Sequence, residues 1–207
     1  MLVFFLLISS RSNLLFSQTR LEGLHYQTGK PVLVEVQNER IVSIQSIDKL
    51  SDEKNQVYIA PGLIDNQVNG FAGVSFNYTS GELNKDGIRK ITRELWKKGV
   101  TTYFPTLTSN SSEVMTAILK TLANEQNDDY LHGSIPGYHL EGPYLSPEDG
   151  FRGAHPLKYV RKPDWNEFIK FYEASGKKIL TITVAPELEG AMDFIRKCTR
   201  LGIVVAL

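Results

Sequence analysis

The feature that most constrains this chain is the alternation, from Val57 onward, of short apolar segments with amphipathic helical ones joined by short connections. Strands are expected over Ile59 to Gln67, Thr101 to Phe104, Ile135 to Leu140, Ile179 to Val184 and Ile203 to Leu207. A first helix, Leu83 to Lys98, carries Ile88, Ile91 and Leu95 at helical spacing, with a capping box at Thr79 to Glu82 and Gly99 as its stop. A second is capped within Asn110 to Glu113 and buries Met115, Ile118, Leu119 and Leu122. The third opens over Asp164 to Glu167 and buries Phe168 and Phe171 before Gly176. The fourth, about Glu189 to Arg200, buries Met192 and Ile195 and ends at Gly202. Strands apolar on both faces and followed by helices argue for a parallel sheet covered by helices, an α/β fold. Five strands and four helices fit an incomplete (β/α)8 barrel, whose whole body takes about 250 residues. An apolar fifth strand at Leu207 exposes an edge that invites pairing, so the chain is expected to be the front part of a longer protein.

Ahead of this region, Pro31 to Gln37 alternates Val32, Val34 and Val36, and Arg40 to Ile47 repeats the pattern with Ile41 or Val42, Ile44 and Ile47 around a polar turn at Asn38-Glu39. This is a hairpin with one buried face. Three regions follow: an apolar tail at residues 1–17, part of a small β-sandwich domain at 18–56, and the half-barrel at 57–207. In the tail, the apolar run Leu2 to Ile8 is too short for a membrane span and lacks the preceding charge and small-residue site of a secretory signal. A signal, a start placed upstream of the true one, and a dispensable tail all remain open for it.

Lysine plus arginine equals aspartate plus glutamate, at 23 each, so no basic field is available for a nucleic-acid backbone or an anionic membrane. A small molecule is the expected partner. The single cysteine, Cys198, sits in an apolar helical pattern and reads as a buried, inert thiol. A reducing, cytoplasmic setting fits it.

Three clusters carry chemistry. In Ala60-Pro61-Gly62-Leu63-Ile64-Asp65-Asn66-Gln67-Val68-Asn69-Gly70, the two-residue period puts Gln67 and Asn69 on one side, where their amides suit a metal-bound water or a substrate carbonyl. In His139-Leu140-Glu141-Gly142-Pro143, an apolar run ends in a carboxylate before a breaker pair, which is how the rim of a parallel barrel presents its reactive groups. Glu141 is the candidate ligand for a divalent metal, and His139 reads as a satisfied strand histidine. In Gly150-Phe151-Arg152-Gly153-Ala154-His155-Pro156, backbone amides with Arg152 and His155 suit an anionic or polyol substrate. Asn110-Ser111-Ser112 matches a glycosylation triplet, and helix capping explains it better.

In this order, and with Gly99-Val100-Thr101-Thr102-Tyr103-Phe104-Pro105-Thr106 between the first two, these motifs resemble those of the N-acetylglucosamine-6-phosphate deacetylases of the amidohydrolase superfamily. The resemblance implies a metal-dependent hydrolase that converts N-acetyl-D-glucosamine 6-phosphate to D-glucosamine 6-phosphate and acetate in amino-sugar catabolism. It implies one divalent metal, zinc, with Glu141 as a ligand, and contacts from Ala154 and His155 to the amino-sugar phosphate. Gln67 and Asn69 stand where many amidohydrolases have a His-x-His pair for a second metal. The family's two histidine ligands and catalytic aspartate are implied on later strands, beyond Leu207, so the chain is expected to be inactive alone. The complete enzyme is expected to be a homodimer. Two rivals remain: another amidohydrolase acting on a different amide, and a non-catalytic half-barrel binding module.

Overall fold

The computed structural model describes residues 18–54, 56–77 and 83–207, which form two compact units meeting in sequence at Gly62 and Leu63. The tail at 1–17 and the Thr79 to Glu82 capping box lie outside the described residues.

In the first unit, β1 (Gln18–His25), β2 (Pro31–Gln37), β3 (Arg40–Ser46) and β4 (Tyr58–Ile59) form one sheet in the order β3-β2-β1-β4. The expected hairpin is present, and its turn residues Asn38 and Glu39 both take the left-handed conformation that a two-residue antiparallel connection requires. Val32 and Val34 are buried, but Ile41, Val42 and Ile44 are exposed, against the expectation of one buried apolar face on both strands. β3 is an edge strand with a register shift opposite Glu35 and Val36, and periodicity alone does not reveal that its apolar side chains are uncovered.

The first barrel strand differs from the expected Ile59 to Gln67. Tyr58 and Ile59 pair in parallel with β1, and the chain restarts after Ala60-Pro61-Gly62 as β5 (Leu63–Val68). The unit boundary therefore falls a few residues beyond the expected 56/57 division. The ribbon of β6 (Gly70–Phe71) and β7 (Val74–Ser75) leads to α1 (Lys85–Trp96). Asn84 caps α1, its side chain accepting from the Gly87 amide at 3.0 Å, so the helix opens two residues later than expected.

β8 (Val100–Thr108) runs past the expected Phe104 and through Pro105. Its pairing with β5 is irregular between Asp65 and Val68, and Val68 pairs with Pro105, so the missing amide falls where the ladder is already broken. α2 (Ser112–Glu125) is capped by Ser111. β9 (Tyr138–Glu141) starts later than Ile135, because Pro136 has no amide and Gly137 lies hard against the Lys178 carbonyl. α3 (Trp165–Ala174) is capped by Asp164, and β10 (Ile179–Thr183), α4 (Ala191–Arg200) and β11 (Val204–Ala206) complete the order.

All five strands of this sheet are parallel, in the strictly sequential order β11-β10-β9-β8-β5, as in a half-barrel. Leu107, Leu140 and Ile182 stand in register and are buried in the core. That core holds Ile88, Ile91 and Leu95 of α1, the four expected residues of α2, and Phe168 and Phe171 of α3. Each such side chain contributes about 1.5–3 kcal/mol on burial. α4 corrects the expectation: Met192 is 55% exposed and Ile195 is half-buried, while Ala191, Phe194 and Cys198 face the core. Several apolar residues on this short helix fit more than one phase, and the sheet selects one of them. Burial pushes the Cys198 thiol up to about 12, in keeping with an inert role. Among the described residues no helix is long and apolar enough to cross a membrane.

Candidate active site

Residues next to Leu107, Leu140 and Ile182 fall on the opposite face of the sheet, because side chains alternate along a strand. Thr108, Glu141 and Thr183 form one register row across β8, β9 and β10, with Thr106, His139 and Thr181 in the row below. Glu141 thus sits at the carboxyl end of the central strand between two small hydroxyl residues, where a parallel barrel displays its reactive groups.

A cavity of about 570 Å³ opens over this row and is lined by Gln67, Asn69, Glu141, Ala154 and His155 among others. Five of the residues singled out in the sequence, from three separate segments, therefore share one space. Asn69 Nδ2 donates to Glu141 Oε2 at 3.2 Å. Asn69 is itself fixed from behind: its carbonyl accepts from the Phe76 amide at 3.0 Å and from Asn77 Nδ2 at 3.2 Å. Asn77 Oδ1 also accepts from the Thr108 hydroxyl at 3.0 Å, so this residue, missed in the sequence, ties the ends of β5 and β8 together. Gln67 lines the cavity as Asn69 does, from the stretch where the pairing of β5 with β8 is irregular.

The loop between β9 and α3 carries Ala154 and His155. Its two ends are joined by the Arg161 amide donating to the Pro143 carbonyl at 3.0 Å. The Arg161 guanidinium grips Glu167 of α3 through two bonds of 2.9 Å and donates to the Asn110 carbonyl at 3.1 Å. Arg152, expected to meet substrate, lines the cavity, but its guanidinium donates to the His155 carbonyl at 2.7 Å and pairs with Asp149. Its visible work is to brace the loop.

His155 Nδ1 lies 2.9 Å from Ser109 Oγ and 3.3 Å from the Ser109 amide, and its Nε2 is 3.9 Å from Glu141 Oε1. Burial holds its pKa below the usual imidazole value, against an upward pull from Glu141. Ser109, which follows β8, is not a site residue in the sequence reading, since it falls between the Gly99 to Thr106 motif and the Asn110-Ser111-Ser112 cap and belongs to neither. His139 is buried with Nε2 2.9 Å from Thr183 Oγ1, and burial lowers its pKa too. The Asn66 backbone pulls that pKa up in part, and no hydrogen bond of ordinary geometry reaches the buried Nδ1.

A catalytic metal site uses three protein ligands and an open position. Among the described residues, no three His, Cys, Asp or Glu side chains converge to hold an ion. Glu141 supplies one carboxylate and His155 one imidazole nitrogen, which do not by themselves fit a divalent cation.

The sequence profile of the amidohydrolase family matches residues 58–204. An N-acetylglucosamine-6-phosphate deacetylase of Bos taurus is 35% identical over 151 residues, covering 72% of this chain and 36% of that protein. One of Vibrio furnissii is 29% identical over 195 residues, covering 92% of this chain and 47% of the relative. A solved structure of the Mycobacterium smegmatis deacetylase in complex with N-acetyl-D-glucosamine-6-phosphate superposes with a TM-score of 0.75 at 26% identity, over 91% of this chain and 49% of that one. The chain thus spans about half the length, or less, of the relatives it matches. With the family profile matched from β4 to β11 and the family's half-barrel in place, the chain belongs to the amidohydrolase family, whose members are generally metal-dependent.

Proposed function

We propose that this chain is the amino-terminal part of an N-acetylglucosamine-6-phosphate deacetylase, an amide hydrolase that yields D-glucosamine 6-phosphate and acetate. The observation that carries this reading is the convergence of Gln67, Asn69, Glu141, Ala154 and His155 on one cavity at the carboxyl ends of the strands. The names of the bovine, Vibrio and mycobacterial relatives supply the substrate. In this reading Glu141 is one ligand of a divalent ion, zinc, whose other ligands lie outside this chain. Asn69 holds the Glu141 carboxylate in place through its 3.2 Å bond, and Gln67 stands beside the reacting amide. Ala154 and His155 contact the sugar phosphate from a loop that Arg161 and Arg152 keep in shape. The complete enzyme acts as a homodimer.

Complementation tests this. The 207-residue chain alone is expected to bind less than one zinc per chain by metal analysis and to release no acetate from N-acetylglucosamine 6-phosphate. Co-expressed with the carboxyl-terminal half of the bovine relative, it is expected to release acetate, and Glu141→Gln is expected to abolish that release. Stoichiometric zinc in the chain alone, or complementation indifferent to Glu141, would overturn the reading. A non-catalytic binding module is favoured by one observation, the exposed apolar side chains on the two outermost strands, Ile64 on β5 and Val204 on β11. Saturable binding of a protein partner without any complementation would favour it.

A further inference from the structure

We propose that Ser109 is a positioning residue that fixes His155 as its Nε2–H tautomer, with the bare Nδ1 held by the scaffold and the single N–H facing the Glu141 side of the cavity. This rests on the cavity being the substrate site proposed above. The Ser109 backbone N–H points at His155 Nδ1 from 3.3 Å, and an amide N–H can only donate. A proton on Nδ1 would meet the amide proton head-on, so this nitrogen presents its lone pair. Ser109 Oγ, 2.9 Å from the same nitrogen, must then donate as well. Two donors on Nδ1 leave the ring proton on Nε2, 3.9 Å from Glu141 Oε1. Ser109 is only 3% exposed, so little water competes for this pair.

Gly142 completes the device. Its φ of +93° disfavours any side chain, and a Cβ there would press on the Ser109 hydroxyl. The glycine after Glu141 therefore both ends the strand and leaves room for the serine that orients the histidine. Chemically, His155 becomes a fixed hydrogen-bond donor aimed into the cavity, suited to a carbonyl or phosphoryl oxygen, and its Nδ1 is withheld from proton transfer.

Nitrogen-15 NMR of the imidazoles tests this on the 207-residue chain at neutral pH, with no metal or sugar present and with His155→Gln identifying the resonances. The wild-type chain is expected to show a protonated Nε2 and a bare Nδ1 at His155. Ser109→Ala removes one of the two donors and is expected to move the Nδ1 resonance toward its protonated position, with a roughly fivefold change in tautomer ratio, the weight of one net hydrogen bond. Ser109→Cys, near in size and a weaker donor, is expected to give a smaller shift and serves if the alanine variant does not fold. An Nδ1–H ring in the wild type, or spectra unchanged in these variants, overturns the proposal. Acetate release under complementation is a separate readout, so either idea can fail while the other stands.

Discussion

Glu141 is legible from its neighbours in sequence, since an acid closing an apolar run before Gly-Pro has few bland explanations. What holds it is not. Its hydrogen-bond donor, Asn69, is 72 residues away and belongs to another strand's end. Asn69→Asp would set two carboxylates face to face at hydrogen-bond distance. The expected result is a loss of about 1–3 kcal/mol at pH 7, from the lost donor and like-charge repulsion. Urea unfolding at pH 7 measures it against Asn69→Ala, which loses the donor without adding a charge, and equal losses in the two variants would show that charge is not the cause. Ser109 and Asn77 are not legible at all, because their contacts come from which loop ends the half-barrel brings together.

Among the elements, α1 shows how a strand-helix unit is fastened. Arg89 on α1 makes two bonds to Asp128, in the connection before β9, and lies over the Tyr130 ring at 5.0 Å. This pair holds the Asp128 carboxyl down to about 2, against about 3.9 in an unfolded chain. A carboxyl lowered on folding stabilises above its unfolded value, and that stability is lost as pH falls toward the folded one. Stability should therefore drop between about pH 4 and pH 2, and Asp128→Ala should flatten that drop while costing about 2 kcal/mol at neutral pH. Denaturant midpoints across this range decide it, and an undiminished slope in the variant would count against the pair. The helices themselves were readable where apolar spacing was unambiguous, as at Met115, Ile118, Leu119 and Leu122. On α4 the pattern does not separate Met192 from Phe194 as the inward residue, because its apolar residues fit two phases and only the sheet chooses between them.

At the scale of the whole molecule, the sheet has apolar side chains uncovered on both outermost strands: Ile64 is 70% exposed on β5 and Val204 is 64% exposed on β11. Sedimentation velocity of the 207-residue chain should show concentration-dependent association, and Ile64→Lys with Val204→Lys should reduce it. A wild type monomeric at all concentrations would refute this. The sequence by itself determined the order of the five parallel strands and four helices and the α/β class, and it singled out three candidate segments, since these depend on local periodicity, breakers and short motifs. Only the tertiary structure decided that Tyr58 and Ile59 pair with β1, that α4 turns Phe194 and Cys198 inward, and that Ser109 and Asn77 sit behind the site. Those facts depend on contacts between residues far apart in the chain, and pairing, phase and hydrogen-bond partners across such distances leave no mark on a local pattern.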